Sequence, residues 1–277
     1  MDGYSGITAL VTGASKGLGE AYARELARRG ARPVLVARSG DALRRVADAI
    51  REEYGVEAAA EAVDLAAPDG VSRLIAELDR RGRTIDLLVN NAGAGTVGPF
   101  LDSSLTRHVD SVGLNVVALM SLCHQLGGRM VARGSGGIIN VASTAAFQSM
   151  PYQASYAATK AFVLSFTEAL AEEFRGAGVR VMAAHPGATA TGFFDGTSAT
   201  MKPAFTDAPG RVAARTLDAF AKGAVNAYPG RASFRATTWA ARVLPRTTAT
   251  RLTARLNRAM GFDRAHDLDA PVAPPRS

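Results

Sequence analysis

The stretch Ile7-Thr8-Ala9-Leu10-Val11-Thr12-Gly13-Ala14-Ser15-Lys16-Gly17-Leu18-Gly19 decides the fold. Its first half is a short apolar, β-branched run, the composition of a buried strand. Its second half spaces glycines as G-x-x-x-G-x-G and opens a helix expected over Gly17–Arg29. Glycines at such a turn let the backbone approach a pyrophosphate, which the free N–H groups of the helix N-terminus then stabilise. The spacing differs from the commoner G-x-G-x-x-G fingerprint. An ordinary Gly-rich turn would also fit, but its place at the first strand-to-helix junction favours a phosphate cradle made by Gly13, Ser15, Lys16, Gly17, Leu18 and Gly19.

Beyond this unit, short apolar runs alternate with longer helical patterns, as in βαβ units around a parallel sheet. Strands are expected at Pro33–Ala37, Val56–Val63, Ile85–Asn90, Gly137–Val141, Val179–Ala184 and Val225–Tyr228. Helices are expected at Asp41–Tyr54, Gly70–Arg81, Ser103–Ala132, Ser155–Arg175 and Gly210–Lys222. The segment Ala188–Pro209, rich in Thr, Gly, Ala and Ser, is too long for an ordinary connection and reads as a lid. The chain thus divides into a catalytic domain (1–230, with the lid at 188–209), a helical extension of the same domain (231–266, interrupted at Pro245) and a Pro-rich tail (267–277) expected to be disordered.

Composition is that of a globular protein: 47% hydrophobic and 21% charged residues. The single cysteine, Cys123, has no intrachain partner, which suits a reducing cytoplasm. No apolar run is long enough to suggest a spanning helix, and no basic leader precedes the first strand, so a soluble cytoplasmic protein is expected. The net charge of +7 is local, because Arg231, Arg235, Arg242, Arg246, Arg251, Arg255 and Arg258 fall in one segment without Asp or Glu. No nucleic-acid recognition motif accompanies that charge, so nucleic acid is not an expected partner. The four histidines show no metal-ligand spacing, so no metal is expected.

The end of the second strand should face the adenosine ribose of a dinucleotide, where an acidic residue would accept from a 2′-hydroxyl. Here Arg38 and Ser39 follow, with Lys16 available from the glycine turn. Two cations favour a 2′-phosphate and hence NADP(H). Tyr156 and Lys160 stand four apart on a helix and project from one face. An ammonium and an oxidised nicotinamide beside the phenol would lower its pKa toward a working range. Ser143, just past the fifth strand, lies at the carboxyl edge of the sheet where ligands bind in such folds.

These residues, with Asp64-Leu65, Asn90-Asn91-Ala92-Gly93, Asn115 and Pro186-Gly187, stand in the order and spacing of the short-chain dehydrogenase/reductase family, which the chain resembles from about Ile7 to Thr191. The framework from Gly13 through Arg38 is similar to the branch of 3-ketoacyl reductases and 17β-hydroxysteroid dehydrogenases. The resemblance implies an α/β, doubly wound, Rossmann-type sheet of order 3-2-1-4-5-6-7. It also implies a proton-transfer set of Ser143, Tyr156, Lys160 and Asn115, with Asn115 holding a water that links Lys160 to solvent. Asn91 would brace the central strands, with Ala92 beside it, and Gly93 would allow close approach to the adenosine ribose. Asp64 would contact the adenine amino group, with Leu65 beside it. Lys160 would bond the nicotinamide ribose, and Pro186, Gly187 and Thr191 would line the nicotinamide.

Met150, Tyr152 and Gln153 precede Tyr156 and are expected at the substrate. Phe193, Phe194, Met201 and Phe205 give the lid an apolar character that suits a lipophilic ketone or alcohol, or simply covers the core. The basic extension, with Trp239, Val243, Leu244, Leu252, Leu256 and Met260 among its arginines, suits either packing on protein or an anionic membrane; packing is the favoured reading, with lipid contact through 231–261 left open. Family members assemble through the helices after strands four and five. The apolar residues there, such as Val117, Met120, Phe162 and Phe166, imply a homodimer or homotetramer. The resulting expectation is reversible NADP(H)-dependent carbonyl reduction. An NAD-linked alcohol dehydrogenase and a non-catalytic NADP(H) sensor are the alternatives.

Overall fold

The computed structural model describes residues 3–200 and 206–268. Seven parallel strands form one sheet in the order β3-β2-β1-β4-β5-β6-β7. In chain order the elements are β1 (Thr8–Thr12), α1 (Gly17–Arg28), β2 (Arg32–Ala37), α2 (Gly40–Tyr54), β3 (Ala59–Ala62), α3 (Gly70–Arg80) and β4 (Leu87–Asn90). Then come α4 (Leu105–Val112), α5 (Leu119–Arg133), β5 (Gly136–Val141), α6 (Ala154–Glu173), β6 (Val179–Ala184), α7 (Pro209–Ala221), β7 (Asn226–Ala227), α8 (Ala232–Val243) and α9 (Arg246–Ala259). The expected doubly wound sheet is therefore present, with boundaries shifted by a residue or two except at the edges. There β3 and β7, each held by a single neighbour, are shorter than their apolar runs suggest.

The central strands are apolar on both faces because helices cover both. Alternate side chains serve opposite cores: Ala9, Val11, Leu87, Val89 and Ile139 pack beneath α1, α2 and α7. Leu10, Val34, Leu88, Ile138 and Val181 pack beneath α3, α5 and α6. Helix α2 begins with Ser39 Oγ accepting from the Ala42 amide and ends at Gly55 in the left-handed region.

The long helix expected over Ser103–Ala132 is one rod with a defect. Between α4 and α5 the backbone widens into a π turn over Gly113–Ala118, a local unwinding that often marks functional sites. By length and composition the rod Leu105–Arg133 is able to cross a membrane, contrary to the expectation that no helix would be. In the fold its Leu119, Leu122, Leu126 and Met130 pack against the sheet.

The lid and the chain's last described residues hold each other. Residues 188–190 pair with Asp207, Thr197 bridges to Asp267, and the Ser198 amide donates to His266 O at 2.9 Å. Asp267 and Leu268, read from sequence as the start of a disordered tail, are thus ordered; Leu268 donates its amide to Gly196 O. The rest of that tail, 269–277, lies outside the described residues. Asp267 is 2% exposed and meets Arg107 of α4 at 2.6 Å, an ionic contact not aligned as a hydrogen bond. Removing one partner of a buried pair strands the other charge at a cost of several kcal/mol. Arg107→Ala is therefore expected to lower stability by ~3 kcal/mol, read as a fall in Tm. Asp267→Asn, which leaves no stranded carboxylate, should cost clearly less, and equal losses would show that the charge pair is not what matters.

Candidate active site

At the carboxyl ends of the strands lies a cleft of about 1310 Å³. The turn after β1 forms its floor. Gly13 has φ +67°, and a side chain there would meet Ala92 Cα at 2.9 Å and Asn91 Nδ2 at 3.0 Å. At Gly19 a Cβ would lie 2.1 Å from the Gly13 carbonyl oxygen, leaving no side chain able to relax away. Thr12 and Asn91 tie this turn to β4. Asn91 Nδ2 donates to Thr12 O at 2.9 Å, and the Asn91 and Ala92 amides both donate to Thr12 Oγ1. The expected bracing role of Asn91 has this geometry. Gly19→Ala should open the turn, lowering Tm and weakening dinucleotide binding at least tenfold (about 1.4 kcal/mol) in a fluorescence titration. Unchanged affinity would mean the turn is not the phosphate cradle.

Arg38 follows β2 and borders the same cleft, beside Ser39 and Ala42. Lys16, expected to share its task, instead bonds Asp195 of the lid at 2.8 Å, with Gly192 O also near. Asp64 lines the cleft while accepting the Ala66 amide at 3.0 Å, and Leu65 lies beside it, buried. Pro186, Gly187 and Thr191 form the opposite wall, and Pro186 O accepts the Thr144 amide at 3.0 Å. Thr191 packs against Gly17, where an added Cβ would approach it to 3.1 Å.

The chemistry-bearing residues converge midway. Lys160 is 4% exposed and donates from Nζ to Val141 O at 2.8 Å. Burial with no carboxylate nearby pushes its pKa down to about 8. Its ammonium lies 5.8 Å from the Tyr156 ring centroid. The Tyr156 ring borders the open cleft, yet protein atoms crowd its hydroxyl; desolvation raises its pKa, and a hydrogen bond with Ser143 offsets only part of that. Burial dominates here; the lowering expected of an ammonium together with an oxidised nicotinamide belongs to the complex with cofactor. Ser143 Oγ accepts the Ala145 amide at 3.1 Å, which fixes it beside Tyr156. Gly95 lets the ring sit close: a Cβ there would come within 2.7 Å of Tyr156 Cδ2.

Asn115 does not line the cleft. It sits in the π turn, where its side chain donates to Ala94 O (2.8 Å) and Thr159 Oγ1 (2.9 Å) and accepts the Ala94 amide (2.9 Å). These bonds fix the 92–95 loop and α6. A Cβ added at Gly93 would lie 3.3 Å from Asn115 Oδ1 and 3.5 Å from Lys160 Nζ.

Of the residues expected at the substrate, Met150 and Gln153 line the cleft. Tyr152 does not; it adopts φ +70°, an uncommon conformation for a bulky residue, and packs against Val97, Ala199, Phe262 and Ala265. Phe193 of the lid stands 5.1 Å from the Tyr156 ring. Met201 and Phe205 lie outside the described residues, as does the side chain of Phe194. Sequence reasoning missed the contribution of the extension. Phe234 of α8 stacks on Gly187, while Leu252, Leu256 and Met260 close the cleft from the α9 side. Asn257 anchors α9 by donating to Pro151 O at 2.8 Å. The extension thus packs in part on its own domain, while Trp239, Val243 and Leu256 stay exposed. Among the described residues, no three of His, Cys, Asp and Glu are grouped to hold a metal ion.

The comparisons concern the family and the fold. The family model "short chain dehydrogenase" matches residues 7–202. The very-long-chain 3-oxoacyl-CoA reductase of Mus musculus is 35% identical over 190 residues, covering 66% of this chain and 59% of that protein. The chain thus spans less than two thirds of that relative's length. Among solved structures, a short-chain dehydrogenase from Sphingobium yanoikuyae in complex with NADPH is 32% identical, with TM-score 0.76 over 85% of this chain and 93% of that one. A short-chain dehydrogenase/reductase from Burkholderia phymatum in complex with NAD is 27% identical, with TM-score 0.77 over 86% and 94%. Fold, glycine turn and the Ser143–Tyr156–Lys160 constellation all concur: the chain belongs to the short-chain dehydrogenase family.

Proposed function

We propose that the protein is an NADP(H)-dependent oxidoreductase that reduces a carbonyl of a lipophilic substrate, or oxidises the matching secondary alcohol. The observation that carries this reading is the convergence of Ser143, Tyr156 and Lys160 in one cleft with a glycine cradle at one end and apolar walls at the other. The residues present fit the cofactor. Gly13 and Gly19, where a side chain would strike Ala92, Asn91 or Gly13 O, keep the turn tight and its backbone bare toward the cleft, and Arg38 borders that cleft as a cation able to meet a 2′-phosphate. When bound there, the nicotinamide supplies or accepts the hydride. Arg38 would hold the phosphate, Lys160 the nicotinamide ribose, and Thr191 and Pro186 the nicotinamide side of the cleft. Ser143 orients the substrate oxygen, and Tyr156 Oη passes its proton to that oxygen. Phe193 and Phe234 exclude water.

The raised pKa of Tyr156 supports the reductive direction, because the neutral phenol is the form that donates a proton. The sign for pH follows. Phenol and Lys160 ammonium are both present below about 8, and the ammonium is lost above that value. The reductive kcat/KM should therefore be flat toward neutral pH and fall above about 8, while the oxidative rate rises with pH. A reductive rate that climbs through this range would contradict the assignment of both groups.

A homodimer or homotetramer in the cytoplasm completes the proposal. Leu105, Val109, Val112, Val117 and Met120 form an exposed apolar stripe along α4, the π turn and the start of α5 that suits self-association. The 3-oxoacyl-CoA reductase likeness and the apolar cleft together support long-chain ketones or β-ketoacyl thioesters as the first substrates to try. Oxidation of NADPH and NADH by the purified protein, against small diketones, steroids and β-ketoacyl thioesters, tests the whole reading. Turnover with NADH alone would overturn the cofactor assignment, and tight cofactor binding without turnover on any class would favour the sensor.

A further inference from the structure

The extension does more than close the cleft. On α9, Arg251, Arg255 and Arg258 recur at i, i+4 and i+7 and are all exposed. Next to them around the helix runs an apolar stripe, Leu252, Leu256 and Met260, that lines the cleft mouth and is itself exposed, Leu256 by 63%. On α8, Trp239 and Val243 face outward, 56% and 80% exposed. No Asp or Glu occurs between 231 and 262. Among the described residues, Arg246, Arg251, Arg255 and Arg258 meet no carboxylate.

A solvated basic face needs no apolar residues, and a purely apolar patch needs no arginines; the two side by side are the pattern of a helix lying in a membrane interface. We propose that the outer face of α8 and α9 docks the protein on an anionic lipid surface, with the cleft mouth directed at the bilayer. The arginines sit at the headgroups and draw the negative surface potential, while Trp239, Val243 and Leu256 enter the headgroup boundary. Leu244, Leu252, Leu256 and Met260 belong both to the mouth and to the exposed face. A lipophilic substrate would thus pass from the bilayer to Tyr156 along apolar side chains. A second copy of the chain is a poor occupant, because pairing this face with itself would oppose like charges. The docking claim does not depend on the proposed reaction, since its test reads no turnover.

Trp239 is the chain's only tryptophan and serves as an internal reporter. The full chain is mixed with vesicles of phosphatidylcholine alone or with added phosphatidylglycerol, then followed by co-sedimentation and tryptophan emission. Binding to the anionic vesicles, a blue shift of Trp239 and loss of both with rising salt are expected. Each surface arginine contributes roughly fivefold to such binding, so Arg251→Gln/Arg255→Gln/Arg258→Gln should weaken it about a hundredfold. These exposed positions do not line the cleft, so thermal melting should be unchanged. Absence of binding to anionic vesicles, equal binding to neutral ones, or full binding by the triple variant would each overturn the proposal. A blue shift with soluble polyglutamate but not with vesicles would assign the face to an acidic protein instead and overturn it equally.

Discussion

Tyr156→Phe is expected to lower kcat by about a thousandfold, within the 10²–10⁴ range that general acid–base groups contribute, with cofactor affinity nearly unchanged. The variant deletes one oxygen and keeps the ring, so the packing against Phe193 and the close approach of Gly95 survive. Among the described residues, neither polar neighbour of the ring replaces the proton. Ser143 is a neutral alcohol whose oxygen accepts the Ala145 amide, and Lys160 is anchored by one N–H on Val141 O. No histidine lines the cleft among the described residues: His108 is held by Ser155 and Phe100, and His185 bonds Asn226. Single-turnover rates with saturating cofactor, beside a binding titration, separate chemistry from affinity. A loss below tenfold would remove Tyr156 from the chemical step. Equal losses in rate and affinity would point to a disturbed cleft rather than a missing acid.

What the sequence made legible was whatever depends on local pattern. The β1–Gly turn–α1 unit announces itself because glycine, strand and helix signals adjoin within a few residues. The sheet follows because each buried strand is a continuous apolar run between two helices. Tyr156, Lys160 and Ser143 were legible through their spacing and their place at strand ends. The π turn at Asn115 was not, because the apolar repeat runs through 113–118 without a break and the defect is set by bonds to Ala94 and Thr159. Nor was the role of α9. Its docking rests on Asn257 reaching Pro151, and on Ala265 passing so close to Gly98 that a Cβ there would meet its carbonyl at 2.2 Å. Contacts across such separations leave no periodic trace. Nor was the burial of the pair: spacing shows Tyr156 and Lys160 as neighbours but not the protein atoms that desolvate both groups.

Arg38→Asp is expected to lower kcat/KM for NADPH by about a hundredfold or more while leaving that for NADH unchanged or higher. Hydrogen bonds to a charged group contribute about 1.5–3 kcal/mol, and a carboxylate in the same place adds repulsion of the phosphate and an acceptor for a ribose hydroxyl. Roughly 3 kcal/mol corresponds to about a hundredfold. The geometry distinguishes Arg38 from its expected companion. Among the described residues Arg38 has no ion-pair partner, whereas Lys16 is already held by Asp195 in an exposed pair. A phosphate recruiting Lys16 must first break that contact, and exposed pairs of this kind are worth little either way. Lys16→Ala should therefore cost NADPH less than tenfold, well below the roughly 1.4 kcal/mol that a tenfold change represents. Asp195→Asn, by freeing Lys16, should if anything improve NADPH use. The ratio of kcat/KM for the two cofactors in the four proteins decides the matter. If Lys16→Ala shifts that ratio more than Arg38→Asp does, the 2′-phosphate is read from the glycine turn and not from the end of β2. If neither moves it, the cofactor preference proposed here has no basis in these cations.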